Sequence, residues 1–303
     1  MESSQIKIVG VGGLGCSWAI SSHNLCGELA EIFLIDADES LVGRYRQNEV
    51  CILGHGNDGS GNACLPPLAE QRMRSMDRDM FEKFADVELV IVLAALGGGT
   101  GSGAAPEIAR QAKSTGATVL SIACMPFEFQ TSRLRIAKES FEKLQKNSDV
   151  CIELSSERLA KQENIRGNTW THKAEWIESL VNGIVRTLMD MGLINLDLMD
   201  LKTIVCKEGM STMLVGIGDN QTPRQILESA TRAPLAEFDV KGAKGCLLQI
   251  EGGTDMTISQ VDELANLFTK KLDDDAQVIL GARVSPDLAG QLRVVCVLSG
   301  IQA

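Results

Sequence analysis

Short apolar runs alternate with amphipathic stretches along the first half of the chain. The apolar runs have the length and continuity of buried strands: IKIVGV, EIFLID, ELVIVLAAL, ATVLSIAC and DVCIEL. Two of the intervening stretches, APEIARQAKST and RLRIAKESFEKLQKN, carry apolar residues at helical spacing. Nearly continuous apolar strands that alternate with helices are typical of a parallel sheet covered on both sides. The pattern therefore predicts a doubly wound α/β domain over residues 1–170.

A longer helical pattern follows this domain. Residues 171–191, THKAEWIESLVNGIVRTLMDM, carry apolar side chains at helical spacing over much of the helix circumference. Such a helix is predicted to be a buried central helix between two domains. Residues 192–303 predict a smaller α+β domain, with helices at PRQILESATRA and SQVDELANLFTKKL and strands at MSTMLVGIG, GCLLQIEGG, AQVILGARV and LRVVCVLSG.

Glycine-rich segments interrupt the pattern of the first half. Residues 54–67, GHGNDGSGNACLPP, predict a long surface loop that could close over a ligand. VGVGGLGC, residues 9–16, satisfies the GxGxxG spacing of a dinucleotide site through Gly10, Gly12 and Gly15. The same residues also suit other kinds of phosphate pocket, so this motif alone leaves the ligand open.

A second glycine-rich segment, LAALGGGTGSGAAP at residues 93–106, is more informative. A strand is predicted to end near Leu96, glycines then alternate with Thr100 and Ser102, and a helix is expected to begin at Ala104 with Pro106 in its first turn. Unobstructed backbone amides, two hydroxyls and a helix N-terminus together form an anion-binding loop. The segment has no lysine, so it differs from the GxxxxGK[ST] loop of P-loop NTPases.

Composition narrows the function classes. The net charge of -11 disfavours a nucleic-acid groove, because phosphate backbones attract basic surfaces. No apolar run approaches the about 20 residues that span a bilayer, and MESSQIKIVG lacks the pattern of a signal peptide, so a cytoplasmic protein is predicted. The nine cysteines form no CxxC pair, and the three histidines are not spaced to bind metal together. Reduced, mostly buried thiols and no structural metal site are therefore expected.

GGGTGSG at residues 97–103 matches the signature loop of the tubulin/FtsZ superfamily. IKIVGVGGLG resembles the first strand and first phosphate loop of that family, and MPFEF at residues 125–129 resembles its Pro-Phe-x-Phe turn beside the ribose. Three later segments resemble the C-terminal domain of FtsZ: GLINLDLMDLKTIV, APLAEFDVKGAKGCLLQIEGG and GARVSPDLAGQLRVVCVLSGI. Matches of this density are closer to FtsZ than to eukaryotic tubulin. The resemblance implies a GTPase domain, a central helix and an activation domain.

The resemblance also implies a bound GTP or GDP with Mg²⁺. Carried over position by position, the nucleotide-binding residues are Gly12, Gly13, Gly15, Cys16, Asp36, Asp38, Gly97, Gly98, Gly99, Thr100, Gly101, Ser102, Gly103, Pro126, Gln130, Arg133, Trp170 and Glu175. No residue is assigned as a resident metal ligand.

In this family, the next subunit of a filament supplies an Asn-x-Asp-x-x-Asp loop to the γ-phosphate, and Asn195, Asp197 and Asp200 match it here. Two carboxylates and an amide can orient the attacking water and help to hold a cation. The same residue types also favour a helix N-terminal cap, and one residue can serve both purposes. The implied partner is a second copy in a head-to-tail homopolymer, with a standard FtsZ or other cell-division proteins as further candidates.

Several positions depart from the family pattern. In the first loop, Leu14, Cys16, Ser17 and Trp18 stand where FtsZ has glycines and asparagine, so side chains are expected near the phosphates. The Asn-Thr-Asp after the second strand becomes Asp36, Ala37 and Asp38, which adds a negative charge beside an anionic ligand.

The ribose and base positions also differ. Gln130 replaces the ribose-binding Glu, and the nearby Arg position falls on Leu134, with Arg133 and Arg135 on either side. On the central helix, the base-stacking aromatic becomes Trp170, the base-reading Asn becomes Ala174 and the guanine-pairing acid becomes Glu175. A carboxylate still accepts from guanine, so a weakened GTP preference is expected. The chain ends at Ala303 without the tail that recruits membrane tethers in FtsZ, which puts that attachment in doubt.

Three alternatives differ in what they explain. GVGGLGC with IDAD and RYRQN resembles the start of ubiquitin-activating and molybdopterin-adenylating enzymes, but this likeness stops near residue 50. An NAD-linked oxidoreductase fits GxGxxG and Asp36, yet leaves GGGTGSG unexplained. An FtsZ-like scaffold with little turnover would explain the altered ribose and base positions. Retention of Asn195, Asp197 and Asp200 favours an active, self-assembling GTPase over that scaffold.

Overall fold

The computed structural model describes residues 5–38, 45, 49–53, 65–165, 175–189, 193–205, 207–231 and 241–302. The loop prediction over residues 54–64 and the predictions for Trp170 and Ala174 lie outside these residues. The chain divides into two compact units, Met1–Asn182 and Gly183–Ala303. Domain limits at residues 170 and 191 stay a prediction.

The first unit is built on a parallel sheet in the order β3-β2-β1-β4-β5-β6. Its strands are β1 (Ile6–Val11), β2 (Glu31–Asp36), β3 (Val50–Ile52), β4 (Leu89–Ala95), β5 (Thr118–Met125) and β6 (Val150–Ser155). The predicted doubly wound sheet is confirmed, and every strand but β3 lies on an apolar run identified in the sequence. Strand β3 was missed in the sequence, because its length of three residues is too short to show a periodic pattern.

Helices cover both faces of this sheet. They are α1 (Gly12–Cys26), α2 (Pro66–Arg74), α3 (Asp77–Phe84), α4 (Gly99–Ser114), α5 (Thr131–Asn147) and α6 (Ser156–Ile165). The core between sheet and helices includes an edge-to-face aromatic pair, Phe33 and Phe84, with ring centroids 6.1 Å apart. Within the described ranges, none of the helices is long and apolar enough to cross a membrane.

The start predicted for α4 is wrong. The helix begins at Gly99 instead of Ala104, so Pro106 lies inside it. A Cβ on Gly101 would lie 2.3 Å from the carbonyl oxygen of Ala95, and a Cβ on Gly103 would lie 2.1 Å from that of Pro66. Only glycine permits these approaches, and the resulting burial of the helix outweighs the low helix propensity of the glycines.

The helix predicted over residues 171–191 is present as α7 (Glu175–Met189), with the flanking positions outside the described residues. The division between the two compact units falls within this helix, after Asn182. Its buried apolar residues follow helical spacing: Ile177, Leu180, Val181, Ile184 and Val185.

The second unit contains a mixed sheet in the order β7-β10-β8-β9. Its strands are β7 (Met210–Asp219), β8 (Gly245–Gly252), β9 (Gln277–Val284) and β10 (Gln291–Ile301), and its helices are α8 (Leu198–Val205), α9 (Pro223–Thr231) and α10 (Ile258–Thr269). β10 pairs antiparallel with β7 and β8, while β8 and β9 are parallel. The predicted α+β domain is confirmed, with α8 as an additional helix.

Helix α10 begins with a reciprocal capping box. The Thr257 hydroxyl accepts from the Gln260 amide at 3.3 Å, and the Gln260 side chain accepts from the Thr257 amide at 2.9 Å. Thr257→Ala is expected to lower the free energy of unfolding by about 1 kcal/mol, because it removes the hydroxyl that accepts the Gln260 backbone amide. Urea unfolding measures this, with exposed Ser259→Ala as the control on the same helix. Equal stabilities of the two variants would contradict the role of the cap.

Candidate functional site

The chain leaves the centre of the parallel sheet in opposite directions from β1 and β4, which lie side by side. Crevices at such a switch point, outside the carboxyl ends of the strands, are where open α/β sheets bind ligands. Helix α1 follows β1 and helix α4 follows β4. A cavity of about 490 Å³ opens at this point, and the residues that line it all belong to the first unit.

The N-termini of α1 and α4 meet at this cavity. Gly12 has a φ of 74°, and a Cβ there would lie 3.2 Å from the Gly101 amide nitrogen. A Cβ on Gly15 would lie 2.3 Å from the carbonyl oxygen of Leu93, so α1 packs directly on the backbone of β4. Neither helix has an acidic residue in its first turn. The positive ends of two helix dipoles therefore face one cavity, as an anion site requires.

The loop before α4 is held by one of its own hydroxyls. The Gly97 amide donates to the Ser102 Oγ at 2.8 Å, and Ser102 is 2% exposed. The predicted binding residue Ser102 thus lies behind the loop and supports it. Gly98, Gly99 and Thr100 line the cavity instead, so the loop presents mainly backbone to a ligand.

The opposite wall is formed by the turn after β5. The rings of Phe127 and Phe129 stack with centroids 5.4 Å apart, and Phe129 is 78% exposed at the cavity. Pro126 and Gln130 also line this wall. Ser156, at the carboxyl end of β6, lines it too and donates to the Met125 carbonyl at 2.5 Å. Ser156 was missed in the sequence, although its place two residues after the predicted strand DVCIEL could have indicated it.

Arg133 is the only charged side chain among the described residues that line the cavity. Its neighbour Arg135 pairs with Glu139 at 3.2 Å and does not line the cavity, while Leu134 packs against the core. The lining contains no carboxylate within the described part of the chain. The polar character of the cavity therefore suits an anionic ligand.

Some predicted binding residues do not line the cavity: Gly15, Cys16, Asp36, Asp38, Gly97, Ser102 and Gly103. The Cys16 thiol is fully buried and donates to the Gly10 carbonyl at 3.4 Å. Burial, followed by the charge of Asp36, raises the pKa of Cys16 to about 12, so this thiol is unreactive at neutral pH. Trp18, absent from the predicted binding residues, lines the cavity although it is only 2% exposed.

Asp36 ends β2 and is 6% exposed. Its carboxylate accepts the Ala37 amide at 2.7 Å, and burial raises the pKa of Asp36 above its ordinary value. Glu175 is the first residue of α7, but its side chain lies outside the described residues. Across the described chain, no three His, Cys, Asp or Glu side chains converge as a resident metal site would need.

Asp197 and Asp200 cap helix α8 reciprocally. The Asp200 amide donates to Asp197 Oδ1 at 2.8 Å, and the Asp197 amide donates to Asp200 Oδ2 at 3.0 Å. A carboxylate has two oxygens, so this cap engages one oxygen of each side chain and allows the other to meet another ligand. Asn195 and Asp197 are exposed, and Asp200 is half-buried.

The segment before this cap is fixed to the sheet of the second unit. The amides of Leu193 and Ile194 both donate to the Ala282 carbonyl, at 2.7 and 3.0 Å. Large apolar side chains flank the three polar residues and are exposed, with Leu193 at 68%, Met199 at 64% and Ile194 at 46%. Apolar side chains exposed beside carboxylates are typical of a surface that meets another protein.

The parallel sheet and the anion-attracting cavity at its switch point define a nucleotide-binding α/β protein. The sequence profile described as Tubulin/FtsZ family, GTPase domain, matches residues 5–164, and the profile described as FtsZ family, C-terminal domain, matches residues 209–302. The chain belongs to the tubulin/FtsZ family.

Individual relatives agree with this membership. Cell division protein FtsZ 2 of Halobacterium salinarum is 32% identical over 303 residues, covering 99% of this chain and 77% of the relative. Cell division protein FtsZ 1 of Thermococcus kodakarensis is 30% identical over 310 residues, covering 99% and 82%. The empty FtsZ dimer of M. jannaschii superposes with a TM-score of 0.86 at 26% identity, covering 100% of this chain and 89% of that one.

Proposed function

We propose that the protein is a self-assembling GTPase that binds GTP in the cavity, joins head to tail and hydrolyses GTP where two copies meet. One observation carries this proposal: the described lining of the cavity offers phosphate-binding groups but no carboxylate, whereas Asp197 and Asp200 lie on the other unit, beside exposed apolar residues. Because the described lining holds no general base, a second copy that supplies one would complete the site.

Binding of the phosphates follows from the backbone of the cavity. The amides at the N-termini of α1 and α4 donate to phosphate oxygens, and Arg133 contributes the one side-chain cation of the described lining. The glycines keep side chains away from this surface, so phosphates can approach the amides closely. Glu175 is proposed to select guanine and Trp170 to stack on the base.

Hydrolysis is assigned to the second copy. Its Asp197 and Asp200 would orient the attacking water and accept its proton, with Asn195 as a further hydrogen-bonding group. Mg²⁺ fits this arrangement, because it commonly binds through phosphates, waters and one or two carboxylates. When bound, it would neutralise charge that develops on the phosphates, with these carboxylates as its protein ligands.

Self-association is supported by the exposed residues beside the acidic segment. Leu193, Ile194 and Met199 would be covered when the segment enters the cavity of a neighbouring copy. The relative from M. jannaschii was solved as a dimer. A standard FtsZ remains a second candidate partner, and the proposed compartment is the cytoplasm.

A second candidate function is a nucleotide-binding scaffold with little turnover. It is favoured by Gln130, which lines the cavity where a carboxylate is expected from the family, and by the structural use of Asp197 and Asp200 as a helix cap. The two functions differ in turnover and agree in nucleotide binding and assembly.

Phosphate release per molecule, measured as protein concentration rises with GTP or ATP in magnesium buffer, separates these functions. A specific rate that climbs above a threshold concentration with GTP supports a site completed between copies. A rate near zero at every concentration, with GTP binding retained, supports the scaffold. A constant, substantial rate at all concentrations would show that one molecule is sufficient and would overturn the shared site.

Arg133→Ala is expected to weaken GTP binding about tenfold to a hundredfold, because it removes a charge-assisted hydrogen bond to phosphate. Arg135→Ala is the matched control, since Arg135 lies on the same helix but pairs with Glu139 outside the cavity. Equilibrium titration with a fluorescent GTP analogue measures both affinities. Equal affinities of the two variants would remove Arg133 from the binding site.

A further inference from the structure

A second cavity, of about 320 Å³, lies between α2, α4 and α5 in the first unit. Among the described residues, it shares no lining residue with the nucleotide cavity. Its charged lining consists of Arg74, Arg110, Lys143, Lys146, Glu70 and Glu107. The lining holds four cations and two carboxylates, and Asp77 pairs with Arg110 from outside it, so one positive charge is left over on a protein whose net charge is -11.

A buried carboxylate fixes the two arginines. Glu107 is 3% exposed, and its two oxygens accept from Arg74 Nε at 3.2 Å and from Arg110 Nε at 2.7 Å. Arg74 Nη2 also pairs with Glu70 at 2.7 Å, and Arg110 Nη2 with Asp77 at 2.7 Å. Within the described part of the chain, these contacts engage Nε and Nη2 of each guanidinium, so the Nη1 hydrogens of both arginines can meet a further acceptor. The two guanidinium groups are therefore positioned before any ligand arrives.

Helix α5 supplies the facing cations. Lys143 and Lys146 are three residues apart and hence lie on one face of the helix. Lys143 Nζ pairs with Glu70 at 2.9 Å, and the Asn147 side chain donates from Nδ2 to the Pro106 carbonyl at 3.1 Å, which links α5 to α4. Lys146 and Arg74 lie in the last turns of their helices, where the helix dipole favours a cation. Lys143 and Arg110 lie outside the last turns, so the dipole does not explain why cations occur at these two positions.

We propose that this second cavity binds a small anion that carries a phosphoryl group, either inorganic phosphate or a phosphomonoester. Guanidinium groups match the geometry of phosphate oxygens, and lysine ammonium groups add compact positive charge. The volume of the cavity is large enough for a small molecule. Ion pairs with Glu107 hold both arginines in place, and an ion pair with Glu70 holds Lys143. The site is independent of the nucleotide cavity and does not rest on the proposed GTPase function.

Isothermal titration calorimetry on the full chain tests this site, with inorganic phosphate or glycerol phosphate as the probe at constant ionic strength. Lys146→Glu should weaken phosphate binding about tenfold or more, because two units of charge change beside a dianion. Lys146→Gln should give a smaller loss with less risk to folding. Lys138→Glu is the matched control, since it makes the same charge change on the exposed part of α5 outside the cavity and should bind as the parent does.

Phosphate that enters the nucleotide cavity would respond to Arg133→Ala and not to Lys146→Glu, so the two sites are distinguished. Tighter binding of glycerol phosphate than of phosphate would assign a phosphomonoester as the ligand, and the reverse order would assign free phosphate. Equal affinities of Lys146→Glu and Lys138→Glu would overturn the proposal. Phosphate binding no tighter than that of chloride would overturn it as well.

Discussion

Asp200→Asn is expected to reduce GTP turnover by about a hundredfold or more while GTP binding stays intact, because a positioned general base contributes that much to proton transfer. The variant keeps an oxygen that can accept the Asp197 amide, so the cap of α8 is preserved while the charge is lost. The binding cavity is lined by the first unit, and Asp200 lies outside it. Phosphate release and nucleotide titration on the same preparation measure the two quantities.

Asp200→Ala adds the loss of the cap to the loss of charge. It should reduce turnover at least as far as Asp200→Asn does, with a lower free energy of unfolding. Thr257→Ala is the control, because it removes one half of a reciprocal cap at α10 and leaves the acidic segment unchanged. If Asp200→Asn or Asp200→Ala hydrolyses GTP as fast as the parent, the carboxylate serves only as a cap and the catalytic role is wrong.

Gly101→Ala is expected to lower the free energy of unfolding by about 3 kcal/mol and to weaken GTP binding by at least about tenfold. The added Cβ would lie 2.3 Å from the Ala95 carbonyl oxygen, at the end of a central strand whose backbone cannot move aside. Helix α4 would have to shift, and its N-terminal amides would leave the positions that bind phosphate. Urea unfolding and nucleotide titration report the two effects separately.

Gly98→Ala is the matched control within the same loop. Its backbone is extended, with a φ of -102°, and no atom lies within 4 Å of the added Cβ. Its stability should stay within about 0.5 kcal/mol of the parent, as for substitutions that create no clash. If both variants are equally stable, the close packing of α4 on β4 does not determine the site.

Much of the fold was accessible from local patterns. Continuous apolar runs identified five strands of the parallel sheet, since a strand buried on both faces needs no polar positions. The glycine-rich segment after β4 indicated a phosphate-binding loop, because few other arrangements place so many bare amides between a strand and a helix. The three-residue β3 and the start of α4 could not be predicted from the sequence. A strand of three residues and the close packing of a helix on a strand produce no periodic pattern of apolar residues.

The sequence by itself determined the sheet, the glycine segments and the membership in the tubulin/FtsZ family, because these depend on residue order and spacing. Only the tertiary structure decided which side chains face the cavity. It placed Arg133 in the lining and Arg135 in an ion pair outside it, although both are arginines on one helix turn. It also placed Ser102 behind its loop and buried Cys16, because packing against neighbouring strands fixes these orientations. Such orientations depend on residues far away in sequence, and no local pattern contains them.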